Sequence, residues 1–137
     1  MAIASKEVTV GQELPPVHKV IKLENMRLFS TWTNRNMHTD WDIAKKSGLP
    51  APIAQGLMSY AYISEMCTNF FGESWFRSGK IDVRFTNYTL PGDRITVGGM
   101  VKEKIAGGDA ARLNCEVWCE NQTGGKTCVG TASALVY

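Results

Sequence analysis

Apolar and polar positions along the chain change period part way, dividing it into a helical first half and a stranded second half. Gly11 to Pro16 (GQELPP) is a turn, and the run Val17 to Leu23 alternates, which predicts an edge strand. From Glu24 to Thr33 apolar residues fall at Met26, Phe29 and Trp32 or Thr33, spaced three to four apart as in a short amphipathic helix. Thr39 and Asp40 are N-cap residue types at the start of a second short helix, TDWDIAKKSG. Its last turn holds lysines and Gly48 stops it. The prolines of LPAPIAQG keep that segment extended, because a residue before proline avoids the helical region. Gly56 to Gly72, GLMSYAYISEMCTNFFG, is then apolar on nearly every side over its first two turns, with Ser64, Glu65, Thr68 and Asn69 as a late polar patch. A helix of that kind is buried along most of its length.

The second half supplies material to bury it. Lys80 to Leu90 alternates, with Ile81, Val83 and Phe85 against Asp82, Arg84 and Thr86. Pro91-Gly92-Asp93 turns the chain, Arg94 to Lys104 alternates again, and Gly107-Gly108-Asp109 is the next turn. Ala111, Leu113, Cys115, Val117 and Cys119 form the cleanest period-two stripe, followed by a turn at Asn121 to Gly125 and a last strand, Lys126 to Tyr137. Short turns between successive strands predict an antiparallel meander. One apolar helix followed by a long curved sheet predicts an α+β hot-dog fold, the sheet wrapped around the helix, with residues 1–137 as a single domain.

Composition narrows the function. A net charge of +2 without a basic run argues against a nucleic-acid partner. No apolar stretch approaches the roughly 18 residues of a membrane span. The N-terminus lacks a secretory pattern, so a cytoplasmic protein is expected. Cys67, Cys115, Cys119 and Cys128 form no C-x-x-C pair, and only two histidines accompany them. That predicts buried free thiols, with neither a metal site nor a disulfide. Of those histidines, His18 has no partner in view, whereas His38 lies in a polar stretch, STWTNRNMHTD.

With this order of elements, the sequence resembles the MaoC-like acyl dehydratases, also called hydratase 2 or (R)-specific enoyl-CoA hydratases. The resemblance covers nearly the whole chain. VGQELP and DVRFTNYTLPGDRITVGGMV are similar to family segments. The most specific part is the family motif D-x-N-P-[LI]-H-x-D, followed eighteen residues after its His by a helix-starting Gly. His38-Thr39-Asp40 matches the motif's end, Pro52 to Gly56 (PIAQG) matches the second part, and 56 − 38 gives the same separation of 18. The motif's Asp falls on Thr33, its Asn on Arg35 and its Pro on Asn36, and Asn34 is one residue from the acid's place.

The resemblance implies an enzyme that adds water to, or removes it from, an enoyl or 3-hydroxyacyl thioester. Coenzyme A or acyl carrier protein enters as part of the substrate, and no separate cofactor is implied. His38, Thr33 and Asn34 then hold the water. Gly56 supports the oxyanion role on physical grounds as well: the first N–H groups of a helix lack internal partners, and glycine allows close approach. Gln55 and Trp32 are candidates for the substrate channel. Arg84, with Lys80 and Lys102, is a candidate for the phosphates of coenzyme A. The resemblance also implies a homodimer, or a heteromer with another hot-dog subunit, in which the sheet continues across the interface and covers open strand edges. Two other functions stay open: a non-catalytic subunit whose partner carries the intact Asp–His motif, and a thioesterase.

Overall fold

The computed structural model describes residues 4–30 and 35–137. A single 3₁₀ turn, Ser5–Glu7, precedes β1 (Val17–Val20) and α1 (Leu23–Phe29). Next come α2 (Trp41–Lys46), α3 (Gly56–Phe71) and α4 (Glu73–Ser78). β2 (Lys80–Phe85), β3 (Arg94–Gly107), β4 (Ala110–Glu120) and β5 (Lys126–Val136) complete the chain. The five strands form one antiparallel sheet in the order β1-β3-β4-β5-β2, with α3 on its inner face against β3, β4 and β5. This is the expected hot-dog arrangement. Among the described residues no helix is long and apolar enough to cross a membrane.

The sheet is not the simple meander that the turns predict. β2 pairs with β5, Val83 opposite Gly130, and not with β3, which follows it in sequence. The Pro-Gly-Asp turn therefore ends a crossover from one edge of the sheet to the far side. Asp93 anchors that crossover: its carboxylate accepts from Leu90 N–H (2.9 Å) and from Gln122 Nε2 (3.0 Å). The turn also exchanges backbone bonds with Ile21, whose N–H donates to Asp93 O while Gly92 N–H donates to Ile21 O.

Register explains which side chains face α3. Ala111, Leu113, Cys115, Val117 and Cys119 of β4 are all buried. They lie opposite Val136, Ala134, Ala132, Gly130 and Cys128 of β5. The small residues of β5 leave room for the helices that pack there. On α3, Met58, Ile63, Met66, Cys67, Phe70 and Phe71 are buried in the same core cluster. Each fully buried large apolar side chain contributes roughly 1.5–3 kcal/mol. Leu57 and Tyr60 remain 59% and 37% exposed, so part of the helix expected to be enclosed is open.

The sequence pattern did not predict α4. It folds back over the end of α3, where Trp75 stacks on Phe71 (5.8 Å between centroids) and its indole N–H donates to Ser64 Oγ (3.0 Å). All four cysteines are free and buried, as expected. Burial pushes the Cys67 and Cys115 thiols up to about 12.

Candidate functional site

His38 sits in a turn that its neighbours tie down. The Asn36 side-chain oxygen accepts from the His38 backbone N–H (2.8 Å). The Asn36 N–H donates to Thr39 Oγ1 (3.2 Å), and the N–H groups of Thr39 and Asp40 both donate to Asn36 O. Thr39 is fully buried, and its carbonyl accepts from Arg27 Nε of α1 (3.3 Å). Asp40 caps α2, its carboxylate accepting from Asp42 N–H (2.9 Å) and Ile43 N–H (3.1 Å).

These bonds settle what Asp40 does. The Ile43 N–H foremost, then the Asp42 N–H, with Arg35 and Arg27 nearby, holds its carboxyl below the ordinary carboxylate value. A depressed folded-state value means that stabilisation is present at neutral pH and lost as pH falls through the usual carboxylate range, about 3.9, and below it. Asp40→Ala is therefore expected to lower the urea midpoint at pH 7, and the gap from the parent should narrow toward pH 3. A midpoint unchanged at pH 7 would rule out the cap.

The His38 ring is oriented by a second contact. Its Nδ1 lies 2.9 Å from the carbonyl oxygen of Ile53. A carbonyl only accepts, so Nδ1 carries the proton and Nε2 is the basic nitrogen. Ile53 is itself fixed, its N–H donating to Met37 O (3.1 Å), and the next N–H, of Ala54, donates to Thr89 O (2.8 Å). The proline-extended segment thus lies between the His38 turn and the β2–β3 crossover and delivers the chain to Gly56, the first residue of α3.

A cavity of about 150 Å³ lies where these pieces meet. His38, Ile53, Ala54 and Gly56 form one side, and Phe85, Asn87, Tyr88 and Thr89 close it from β2 and the crossover. Ser59 of α3 and Thr127 of β5 complete it. A Cβ built on Gly56 would lie 2.7 Å from the Phe85 ring, so glycine is what lets that ring rest against the start of the helix. The helix is uncapped by any side chain at Gln55, which leaves its positive end available to an oxyanion. Among the described residues lining the cavity none is a carboxylate. His38, an imidazole, and Gly56, the start of α3, thus line one cavity.

The structure brings together His38 and Gly56 but not every residue expected with them. Gln55 turns to Ser30, its Nε2 donating to Ser30 Oγ (2.8 Å), and does not line the cavity. Arg84 lies opposite Val129 of β5, on the face of β2 away from the inward-facing Val83, and does not line the cavity. Lys102 is also on that outer face, 3.6 Å from Glu116. Lys80 lines a separate outer depression with Asp82 and Ser133. Trp32, Thr33 and Asn34 lie outside the described residues. The sequence reading missed Ser59, Phe85, Asn87, Tyr88, Thr89 and Thr127. The break in alternation at Thr86-Asn87 was the available sign that β2 ended and a loop began there.

Known proteins share this architecture. The MaoC-like dehydratase from Rhodospirillum rubrum is 18% identical and superposes with a TM-score of 0.84 over 98% of this chain and 97% of that one. The unliganded R-hydratase PhaJ1 from Pseudomonas aeruginosa is 24% identical, with a TM-score of 0.81 over 98% of this chain and 85% of that one. The ChsH1-ChsH2 complex from Mycobacterium tuberculosis is similar at 20% identity and a TM-score of 0.73, over 93% and 96% of the two chains. No curated protein sequence matches significantly. The match to the MaoC-like domain extends over residues 7–117, and the chain belongs to that family.

Proposed function

We propose that this chain is an acyl-thioester hydratase or dehydratase in which His38 is the general base and the N-terminus of α3 at Gly56 receives the thioester oxygen. The observation that carries this reading is the shared cavity of His38 and Gly56, with the imidazole proton held on Nδ1 by Ile53. In the hydration direction, Nε2 takes a proton from water as the water oxygen bonds to Cβ of the enoyl group. The carbon–carbon π electrons shift toward the thioester oxygen, where the unpaired N–H groups of the helix start stabilise the enolate. The imidazolium, supported by the Ile53 carbonyl through Nδ1–H, then returns a proton to Cα, and the double bond has become a hydroxyl and a hydrogen. Dehydration is the reverse.

The acid that the family motif places five residues before the histidine is Thr33 here, so His38 works without it. Thr33→Asp is expected to raise the rate of crotonyl-CoA hydration about a hundredfold, the low end of what a positioned acid–base group contributes. No gain in a folded variant would count against water being held beside Thr33.

The lack of a carboxylate among the described cavity residues favours one other reading, a non-catalytic subunit beside a partner with the intact motif. Edge strands β1 and β2, together with exposed Leu57 and Tyr60 on α3, support pairing with a second hot-dog chain. The deciding assay uses the purified chain alone with crotonyl-CoA. Loss of the enoyl absorbance without release of free thiol supports the hydratase. Tight thioester binding without turnover supports the subunit, and free coenzyme A would identify a thioesterase.

A further inference from the structure

The hairpin between β4 and β5 brings two thiols face to face. Cys119 ends the inward stripe of β4, Cys128 opens the inward stripe of β5, and register sets them directly opposite one another. Both are free and buried. The two share a hydrogen bond in which the Cys119 S–H donates to the Cys128 sulfur, which lowers Cys128 and raises Cys119 relative to an ordinary thiol. The Cys119 S–H has a second acceptor in the Ser59 carbonyl (3.8 Å). Cys67 and Cys115 are placed differently: Cys115 lies opposite Ala132, and Cys67 is on α3.

This pair stands behind the cavity that holds His38 and Gly56. Ser59, Phe85 and Thr127 all line that cavity, and each is tied to the thiols. Ser59 accepts from Cys119, and the Thr127 hydroxyl donates to the Cys119 carbonyl (3.4 Å). Phe85 of β2 lies opposite Cys128, so β5 carries Cys128 between Cys119 on one side and Phe85 on the other. An oxidant gains access by the same side. β2 is an edge strand held by β5 alone, and its local opening uncovers Cys128.

Opposed residues of antiparallel strands have Cα atoms about 4.5 or 5.5 Å apart, inside the range of about 4.4–6.8 Å that a disulfide spans. Their Cβ atoms, at about 4.5–5.5 Å, have to close to about 3.8 Å. We propose that Cys119 and Cys128 form an oxidation site, a thiol pair that a peroxide closes into a cross-strand disulfide, and that this closure reshapes the wall of the neighbouring cavity. The Cys128 thiolate attacks one peroxide oxygen: the S–O bond forms, the O–O bond breaks, and hydroxide leaves with the thiol proton as water. The Cys119 sulfur then attacks Cys128: the S–S bond forms, the S–O bond breaks, and the second hydroxide takes the Cys119 proton as water. Two thiols have lost two electrons and two protons, and one peroxide has become two waters. The new bond removes the Cys119 donor from the Ser59 carbonyl and draws Cys128 toward β4, away from Phe85. The oxidation is independent of the proposed hydratase chemistry, and its effect on turnover rests on that reading.

The test exposes the intact, reduced protein to hydrogen peroxide at neutral pH until free glutathione in a parallel tube is fully oxidised. Mass spectrometry should show a loss of about 2 Da, the two hydrogens given up by a disulfide. Peptide mapping should join Cys119 to Cys128 and leave Cys67 and Cys115 as thiols, and dithiothreitol should reverse the change. In NMR spectra the Gly56 amide and the His38 ring should shift on oxidation and return on reduction, and crotonyl-CoA turnover should fall and recover with them. Cys128→Ala should show neither link nor shifts, whereas Cys67→Ala should show both; where a variant fails to fold, mapping of the parent decides. All four thiols surviving, oxygen added to one cysteine without a link, or a link between other cysteines would overturn the proposal. So would a Cys119–Cys128 link that leaves the Gly56 and His38 resonances unmoved. Link and shifts in a chain that turns over no enoyl thioester would uphold this site and defeat the hydratase. Turnover in a chain whose thiols all survive would do the opposite.

Discussion

His38→Ala is expected to lower kcat for crotonyl-CoA hydration by a factor of about 10²–10⁴, with a much smaller change in KM. The separation follows from where the ring is used. Nε2 acts on the proton of the attacking water, so its loss raises the barrier without removing a contact to coenzyme A. The alanine variant also deletes the Nδ1–H donor to the Ile53 carbonyl and so loosens the segment leading to α3. His38→Asn separates these effects, because its amide can still donate to Ile53 while offering no basic nitrogen. Both variants should show that fall in kcat, but the asparagine one should unfold closer to the parent in urea. Activity retained in either variant would remove His38 from the chemistry and favour the subunit reading.

Local chemistry made part of this fold legible and left another part hidden. α3, the α2 cap at Asp40, and the β3–β4 and β4–β5 turns each follow from residues close in sequence, and each was found. The partner of β2 was not. Pro-Gly-Asp specifies that the chain turns, but not which strand lies across from the one just completed. That choice is made by tertiary packing: β2 goes to β5, and the freed crossover supplies Asn87, Tyr88 and Thr89 to the cavity. The error in topology and the missed site wall are thus the same event. Arg84 was legible in its direction, since Ile81, Val83 and Phe85 already fixed the inward side of the strand and alternation sends Arg84 outward. At His38 the motif spacing picked out two residues, His38 and Gly56, that the fold brings to one cavity. Asn36 was placed at the motif's proline, but the bond its side-chain oxygen accepts from the His38 N–H depends on the fold of the turn and could not be read from the motif.

Because β2 carries one wall of the pocket, a change far from His38 should disable it. Gly130→Ala is expected to destabilise the protein by about 3 kcal/mol, the upper part of the usual range for overpacking. A Cβ there would run into Asp82 O and lie 2.6 Å from Val83 Cα. Both are backbone atoms, so no rotamer relieves the contact and the strand itself has to shift. β2 is an edge strand held in the sheet by β5 alone, which makes its displacement the cheapest response. Displacement carries Phe85 off the start of α3 and moves Asn87 to Thr89 with it, so the folded fraction should also lose turnover. Hydrogen exchange should show faster amides across Lys80–Phe85 while the β3–β4 ladder stays protected. Gly107→Ala is the control: a Cβ there meets nothing within 4 Å, and that variant should match the parent in stability. Uniform loss of protection across the whole sheet would instead mean that β2 is integral to one cooperative unit. A Gly130→Ala protein as stable as the parent would mean that β2 does not approach β5 this closely.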